Sequence, residues 1–386
     1  MARIYYLWGI VLFLFRFTLP LLDKFHASIA NTVTGSRYQM RQKKRFIWTA
    51  GILAVLASVF MAAPPIMARM GKASLLKNAS SRMPQFSDEA EPPPAEEAWK
   101  EDWIRYRGKV YDYNENILTF LCMGIDVDEE LSQHQQGWDS GQADAIFLLV
   151  LNPDTRQMSV IAIDRNTMTD VDMYDQENRF LGTVQAQINL AHGYGDGREE
   201  SAANQVKAVS RLMYELPIHG YFAINLPAIY ILNDLIGGVD VTIPQDFTPA
   251  YFPYAPGETV HLDGNLAYFF VRYRDVNVAE SARMRLGRQK QYLLAYVEKA
   301  KQEFARDITL PLKLFNAIAP SMVTDITADE AVYLAGEAAE YTFSEDDLIL
   351  LPGVTDTSGE FDQFHVDQDA LKQIIIDVFY TEKEGI

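Results

Sequence analysis

The segment ADAIFLLVLNPDTRQMSVIAIDRNT, residues 143–167, is the clearest indication of the fold. It holds two apolar runs, 145–151 and 158–163, on either side of Asn152-Pro153-Asp154-Thr155. Asn at the first position and Pro at the second are typical of a type I turn, so the stretch predicts a β-hairpin. A further apolar run, 117–125, predicts a buried strand.

Segments with helical spacing of apolar residues follow these strands. We predict helices over 203–216, 226–236, 283–304 and 370–379, and strands over 239–243 and 348–351. Residues 265–273 fit either a strand or a short helix. Because strands and helices alternate along the chain, we expect an α/β fold with a central β-sheet flanked by helices.

Charge is unevenly distributed along the 386 residues. The total is −18, but residues 1–67 contain eight basic residues and one acidic residue, so they carry +7 and the remainder carries −25. The acidic body disfavours a nucleic-acid partner, which would require a basic surface. The single cysteine, Cys122, excludes an intrachain disulfide.

The amino-terminal part predicts a membrane anchor over residues 1–67. Residues 46–67 are apolar and long enough for a membrane span, which needs about 20 residues. They directly follow a basic cluster, and basic residues favour the cytoplasmic side. A cleaved signal peptide is the alternative. Residues 4–22 fit an additional span or an interfacial helix, with 23–45 as a basic cytoplasmic segment.

The rest of the chain is then expected outside the cell membrane. The Pro-rich, acidic composition of residues 68–110 predicts an extracytoplasmic stalk, and 111–386 a folded domain.

Arginines gather in three places in this acidic domain. Arg165 follows the predicted strand of the hairpin, and Arg272 and Arg274 would share one face if they lay on a strand. Arg285 and Arg288, three residues apart, would share one side of a helix. Ion pairing with the surplus carboxylates is one explanation. A polyanionic ligand is the other, because the planar guanidinium fork suits phosphate oxygens.

Carboxylates accompany these arginines in the sequence. Asp144 begins the strand 145–151, Asp164 precedes Arg165, and Glu280 precedes the third arginine group. They are either simple counter-ions of the arginines or ligands of a Mg²⁺ ion that also binds phosphate oxygens. No familiar catalytic motif, such as a P-loop or G-x-S-x-G, is present.

Six segments, in this order, resemble the LytR–CpsA–Psr family of membrane-anchored phosphotransferases. They are GQADAI at 141–146, AIDRNT at 162–167, QINLA at 187–191, GGV at 237–239, DG…FVRYR within 263–274, and RLGRQ at 285–289. The resemblance covers roughly residues 118 to 379. It implies an α-β-α fold with a central mixed sheet.

The resemblance also implies a function. Such proteins transfer a phospho-glycan from a polyprenyl-pyrophosphate carrier to peptidoglycan, outside the membrane. By resemblance the substrate pyrophosphate would be bound by Arg165, Arg272, Arg274, Arg285, Arg288 and Gln289. The first three of these and Asp144 would be the catalytic residues. Mg²⁺, with Asp144, Asp164 and Asn166 as its ligands, would be the cofactor, and pyrophosphatase action a side activity. The lipid tail would occupy an apolar groove lined by 223–236 and 293–297.

One departure from the family pattern leaves two other functions open. Asn166 stands where the family has an aspartate, and an asparagine brings no charge and cannot act as a base. Asp164 would compensate if it shared a strand face with Asn166. Otherwise the chain is a catalytically weakened lipid-binding or assembly protein of the cell envelope. A transcriptional attenuator linked to the envelope is the third alternative.

Overall fold

The computed structural model describes residues 68–77, 83–84, 86, 100, 102–127, 141–175, 177–249, 251–275, 277–278, 280–307, 309–337 and 340–383. The predicted spans at 4–22 and 46–67, and the basic segment between them, lie outside these residues. Among the described residues, no helix combines the length and the apolar character needed to cross a membrane.

Fifteen strands and nine helices are labelled here in chain order. The strands are β1 Trp103–Tyr106, β2 Lys109–Tyr113, β3 Leu118–Ile125, β4 Ala143–Asn152, β5 Gln157–Ile163, β6 Met168–Tyr174, β7 Phe180–Gln187, β8 Gly220–Asn225, β9 Val239–Thr242, β10 Thr259–Leu262, β11 Met322–Thr324, β12 Leu348–Leu350, β13 Gly353–Asp356, β14 Gln363–Val366 and β15 Tyr380–Glu382. The helices are α1 at 68–77, α2 Leu190–Gly193, α3 Glu199–Leu212, α4 Ala228–Leu235, α5 Gly264–Arg272, α6 Ser281–Arg306, α7 Leu310–Ile318, α8 Ala328–Glu337 and α9 Gln368–Phe379.

The chain divides into two compact units. The described residues of the smaller unit are 68–71 and 328–333, all of them helical. The larger unit comprises Lys72–Thr327 and Leu334–Ile386 and contains every strand named above. The following description concerns the larger unit.

A six-stranded mixed sheet forms the centre of the larger unit. Its strand order is β11-β8-β3-β4-β5-β12. Strand β4 is antiparallel to both β3 and β5, whereas β8 is parallel to β3 and β12 is parallel to β5. The predicted hairpin is confirmed: the Asn152 side-chain oxygen accepts the N–H groups of Asp154 and Thr155, at 3.0 and 3.2 Å, and so closes the turn.

Helices cover both faces of this sheet. Side chains alternate between the faces along each strand, so the apolar strands present apolar side chains on both faces. Helices α3 and α9 bury one face, in a core that includes Leu121, Ile146, Leu148, Val209 and Phe379. Residues of α6, α4 and α7 pack against the other face. The sheet flanked by helices that the sequence predicted is therefore present.

The predicted boundary between stalk and domain falls within a strand. Strand β2 pairs with β1 on one side and with β15, at the carboxyl end, on the other. The folded unit therefore includes residues 103–110, which the composition had placed in the stalk. The short strands β1 and β2 mix charged and aromatic residues without a clear alternation. The predicted boundary therefore followed the composition of the Pro-rich segment before them.

Residues 265–273 form a helix, so the strand alternative for them is wrong. Helix α5 begins after Asp263, whose side-chain oxygen accepts the N–H of Leu266 at 2.9 Å. An aspartate in this position is a favourable N-cap because it satisfies an otherwise unpaired helical N–H group. Consequently Arg272 ends the helix and Arg274 lies beyond it, and the two do not alternate along a strand.

Two buried histidines predict how stability depends on pH. Burial lowers the pKa of His192 and His219 from 6.5 to about 4. Below pH 6.5 the unfolded chain therefore binds protons that the folded chain does not, and the free energy of unfolding should fall by roughly 1.4 kcal/mol per pH unit per histidine until about pH 4. Urea unfolding at several pH values measures this slope.

The substitution His219→Gln should reduce the slope, because it removes one of the two titrating groups. The glutamine oxygen replaces Nδ1 as the acceptor of the Thr119 N–H, a bond of 3.1 Å, so the contact is kept. His261→Gln is the matched control because His261 is exposed. Equal slopes in the wild type and in His219→Gln would contradict the assignment.

Candidate functional site

Charged residues collect at one edge of the central sheet. Asp126 directly follows β3, Asp144 is the second residue of β4, and Arg165 lies two residues beyond β5. Because β3 and β5 are both antiparallel to β4, the ends of the outer two strands and the start of the middle one meet at the same edge. The sheet topology thus brings together residues that are up to 39 positions apart.

The carboxylate of Asp144 binds two arginines at this edge. Its Oδ1 accepts a hydrogen bond from Nη1 of Arg165, and its Oδ2 accepts one from Nη1 of Arg285 at 2.8 Å. The three side chains are largely buried, with 12%, 16% and 7% of the side chains of Asp144, Arg165 and Arg285 exposed. Two of the predicted arginines and the predicted aspartate are therefore in one cluster.

Further polar side chains surround Arg165. Its Nη2 donates to Oε1 of Gln142 at 2.5 Å, and the same oxygen accepts the amide of Asn189 at 2.8 Å. Nε of Arg165, Oδ1 of Asn189 and Oγ1 of Thr167 are buried and have no hydrogen-bond partner among the described residues. Buried polar atoms without partners are uncommon, so this cluster is suited to a polar ligand or bound water.

Asp164 and Asn166 lie in a turn and not on a strand. Oδ1 of Asp164 accepts the backbone N–H of Asn166 at 2.8 Å, and its carbonyl accepts the N–H of Thr167 at 3.0 Å. Both residues are buried. The expectation that they share a strand face is wrong, because β5 ends at Ile163 and the Asp164 side chain closes the turn.

Like charges lie close together around Arg165. Burial lowers the pKa of its guanidinium, and the charges of Arg285 and Arg274 lower it further, while Asp144 opposes them. Burial raises the pKa of Asp164, although the N–H of Asn166 and the nearby arginines oppose the change. Arginines held close to one another and away from water favour an anionic ligand.

Asp126 was not among the predicted site residues. It is exposed at the edge of the cluster, but the protein shields part of its carboxylate from water, and this raises its pKa. The charge of Asp144 also raises that pKa, whereas the charges of three arginines lower it, namely Arg272, Arg165 and Arg285. The signal in the sequence was its place directly after the buried strand β3, on the edge where Asp144 begins β4.

Arg272 and Arg274 reach different partners. Nη1 of Arg272 donates to the hydroxyl of Tyr268 at 2.6 Å, and its guanidinium lies 5.3 Å from the centre of that ring. Nε of Arg274 donates to Oγ of Ser281 at 2.9 Å, and its Nη2 lies 3.5 Å from a carboxylate oxygen of Asp362. The charges of both arginines still reach the cluster. The charge of Arg272 lowers the pKa of Asp126, and the charge of Arg274 lowers the pKa of Arg165.

Arg288 and Gln289 bind carbonyl groups of the protein, although the resemblance implied that they bind pyrophosphate. Nε of Arg288 donates to the carbonyl of Phe270 at 3.0 Å and its Nη2 to that of Tyr273, while Nε2 of Gln289 donates to the carbonyl of Val271 at 3.3 Å. Arg288 is 4% exposed and burial lowers its pKa to about 10. Both residues thus satisfy the last carbonyls of α5, which a helix leaves unpaired.

The predicted magnesium ligands Asp144, Asp164 and Asn166 differ in their surroundings. Among the described residues, no group of three or more His, Cys, Asp or Glu side chains is placed to hold a metal ion. Asp164 and Asn166 are buried in their turn, and Oδ1 of Asn166 accepts from Gln187 at 3.4 Å. Asp144 and the nearby Asp126 are the carboxylates that fit Mg²⁺, which proteins hold through one or two carboxylates together with phosphate oxygens.

An open cleft of about 380 Å³ begins at Arg165. It is lined by Arg165, Asn166, Gln187, Arg274, Val278, Glu360, Phe361 and Asp362. The last three belong to the loop that joins β13 to β14, a segment about 200 residues from Arg165 in the sequence. Sequence reasoning missed this loop because no local pattern links it to the arginines.

Comparison with known proteins identifies the family. The model of the LytR_cpsA_psr family matches residues 87–377. The chain belongs to the LytR–CpsA–Psr family. The predicted resemblance is therefore confirmed, and the match begins within the segment predicted as a stalk.

Three relatives illustrate how this chain compares with named proteins and solved structures. The proteins named polyisoprenyl-teichoic acid–peptidoglycan teichoic acid transferase TagU from Bacillus mycoides and Bacillus cereus are 27% and 25% identical to it. The aligned parts cover 55% and 66% of this chain and 62% and 76% of those proteins, so the first alignment spans less than two thirds of the relative. The crystal structure of B. subtilis TagV, 21% identical, has a TM-score of 0.52 and covers 68% of this chain and 95% of that one. It shows the same fold.

The contacts of Arg288 generate a test of its role. Arg288→Gln should lower the free energy of unfolding by about 1–3 kcal/mol, because the buried carbonyl of Phe270 and the partly buried carbonyl of Tyr273 lose their donors. The affinity of the folded variant for inorganic pyrophosphate should change less than about threefold. Urea unfolding and calorimetric titration measure the two quantities.

Arg306→Gln, at the exposed end of the same helix, is the matched control. A variant of Arg288 with unchanged stability and a large loss of pyrophosphate affinity would restore Arg288 to the binding site.

Proposed function

We propose that this protein transfers a phospho-glycan from a polyprenyl-pyrophosphate carrier to peptidoglycan. The observation that carries the proposal is the largely buried Arg165, whose Nε has no acceptor among the described residues and whose neighbours include Arg274 and Arg285. The oxygens of a pyrophosphate would accept from this N–H and offset the repulsion between the guanidiniums. Membership of the family and the names of the TagU relatives support the same activity.

In the proposed reaction, an acceptor hydroxyl oxygen bonds to the phosphorus that carries the glycan, and the bond to the bridging oxygen breaks. Polyprenyl phosphate leaves, and the hydroxyl proton passes to a base. Such a transfer depends on positioning and charge stabilisation. Arg165, Arg274 and Arg285 would hold the phosphate oxygens, with Arg272 at the exposed side. Asp144 would position Arg165 and Arg285, since both of its oxygens already accept from them.

A partly open apolar space supports the assignment of a lipid. On the face of the sheet toward α6, the central residues Phe147, Leu149, Phe222 and Ile224 are only half-buried, although they lie in the middle strands. On the opposite side Leu293, Leu294 and Val297 of α6 are half-buried as well. An apolar chain between the sheet and α6 would bury these side chains, each worth about 1.5–3 kcal/mol when fully removed from water.

We assign Mg²⁺ to Asp126 and Asp144 and not to Asp164 and Asn166. When bound together with a pyrophosphate, the cation would neutralise part of the charge that develops on the phosphate oxygens. The two carboxylates lie close enough for the charge of Asp144 to raise the pKa of Asp126, a repulsion that a cation would relieve. Pyrophosphatase side activity would follow if water replaced the acceptor hydroxyl.

The membrane is the proposed location, with the catalytic domain on the outer side. The apolar residues 46–67 and the basic residues before them support a cytoplasmic amino terminus. Lipid-linked donor and peptidoglycan acceptor are both accessible there.

The central test is transfer by the purified full chain in detergent. With a polyprenyl-pyrophosphate-linked glycan, Mg²⁺ and peptidoglycan, the wild type should release polyprenyl phosphate and label the peptidoglycan. Arg165→Ala should lower this rate by about 10²-fold or more, the effect of losing one preorganised group that stabilises charge. Arg179→Ala, an exposed arginine, should retain the wild-type rate.

If Arg165→Ala keeps full activity, the site is assigned wrongly. If the wild type binds the lipid but never turns it over, even with Asn166→Asp, the protein is a lipid-binding assembly protein.

A metal titration tests the assignment of Mg²⁺. Asp126→Asn should raise the Mg²⁺ concentration for half-maximal rate by about tenfold, because one charged ligand is lost. Electron paramagnetic resonance of Mn²⁺ with inorganic pyrophosphate should show correspondingly weaker binding. Asp164→Asn keeps the oxygen that closes the turn and is the matched control. Weaker Mn²⁺ binding in the control, and not in Asp126→Asn, would return the metal to Asp164.

A further inference from the structure

The loop between β13 and β14 holds an apolar side chain at the mouth of the cleft. Phe361 is 66% exposed, and Val278, which lines the same cleft, is 43% exposed. Exposed apolar groups beside one another in a concave surface mark a binding site more often than scattered ones do.

This loop is anchored to the candidate site at several points. The N–H of Phe364 donates to the carbonyl of Asn166 at 2.9 Å, and Nε2 of Gln187 donates to the carbonyl of Asp362 at 2.7 Å. Phe364 is itself buried, and the guanidinium of Arg283 lies 5.5 Å from the centre of its ring. Phe361 is therefore held in an exposed position by the same turn that positions Arg165.

The cleft contains groups of both charges. Arg165 and Arg274 line it together with Glu360 and Asp362, and Nη2 of Arg274 lies 3.5 Å from a carboxylate oxygen of Asp362. A polyanionic glycan would be repelled by these carboxylates, whose oxygens instead suit a ligand that donates hydrogen bonds.

We propose that the part of the cleft lined by Glu360, Phe361 and Asp362 binds a neutral sugar of the acceptor glycan strand. The C–H face of a hexose ring would stack on Phe361, and its hydroxyl groups would donate to the carboxylates of Glu360 and Asp362. The acceptor hydroxyl would then point toward Arg165, where the pyrophosphate is proposed to lie. This inference depends on the proposed function, since it assigns the second substrate of the same site.

The test compares the KM values for the two substrates in the full chain. Phe361→Ala should raise the KM for a soluble, uncrosslinked peptidoglycan strand by about tenfold, the effect of losing one aromatic stacking contact. The KM for the lipid-linked donor should stay within twofold of the wild type. Phe180→Ala, a phenylalanine of β7 that is 58% exposed, is the matched control and should change neither value.

A binding measurement keeps this test separate from that of the reaction. In saturation-transfer NMR, the C–H protons of chitotetraose should receive magnetisation from the wild type and from Phe180→Ala, but not from Phe361→Ala. Loss of this signal in Phe361→Ala supports the subsite even if the wild type transfers nothing, a result that would overturn only the proposed function. A higher KM for the donor, or equal signals and equal KM values in Phe361→Ala and the wild type, would overturn the acceptor subsite and leave the proposed function standing.

Discussion

The structure of the site depends on one carboxylate, that of Asp144, which binds Arg165 and Arg285 at the same time. These three residues belong to the start of β4, the turn after β5 and the first turns of α6. Without Asp144 the two guanidiniums would be buried beside each other with no counter-ion, a situation that usually destabilises a protein by about 3–5 kcal/mol. The interaction therefore fixes the long helix α6 against the edge of the sheet. It also holds two guanidiniums close together although their like charges repel each other.

The same interaction leaves the site short of negative charge. One carboxylate offsets part of the field of Arg165, Arg274 and Arg285, and the buried Nε of Arg165 is left without an acceptor among the described residues. Bulk water would satisfy the donors of a surface ion pair, whereas this buried N–H requires a bound water or a ligand as its acceptor. The site is consequently suited to an anion with several oxygens, and the proposed pyrophosphate provides more acceptors in a small volume than a carboxylate does.

Much of the fold could be predicted from the sequence, because its strongest signals are local. The hairpin at 143–167 and the apolar stripe of α6 combine long apolar runs with clear turn or helix signals. The position of Arg272 could not be fixed in this way, since the apolar residues of 265–273 fit either element. The structure forms a helix there, capped by Asp263 and packed through Ala267 and Phe270. Asp362, which lies 197 residues beyond Arg165, joins the cleft through long-range packing of the β13–β14 hairpin, and no spacing within the sequence shows such a contact.

The substitution at residue 166 is less consequential than its sequence position suggests. An aspartate at this point would be buried, with its backbone bound to Asp164 and Phe364 and its side chain beside Gln187. A second charge next to Asp164, which is itself buried, would be unfavourable without a nearby cation. Asparagine keeps the turn and removes that repulsion. In this chain the exposed Asp126 and the doubly bound Asp144 remain as carboxylates at the edge of the sheet. The absence of a negative charge at residue 166 therefore leaves acidic groups that face the arginines.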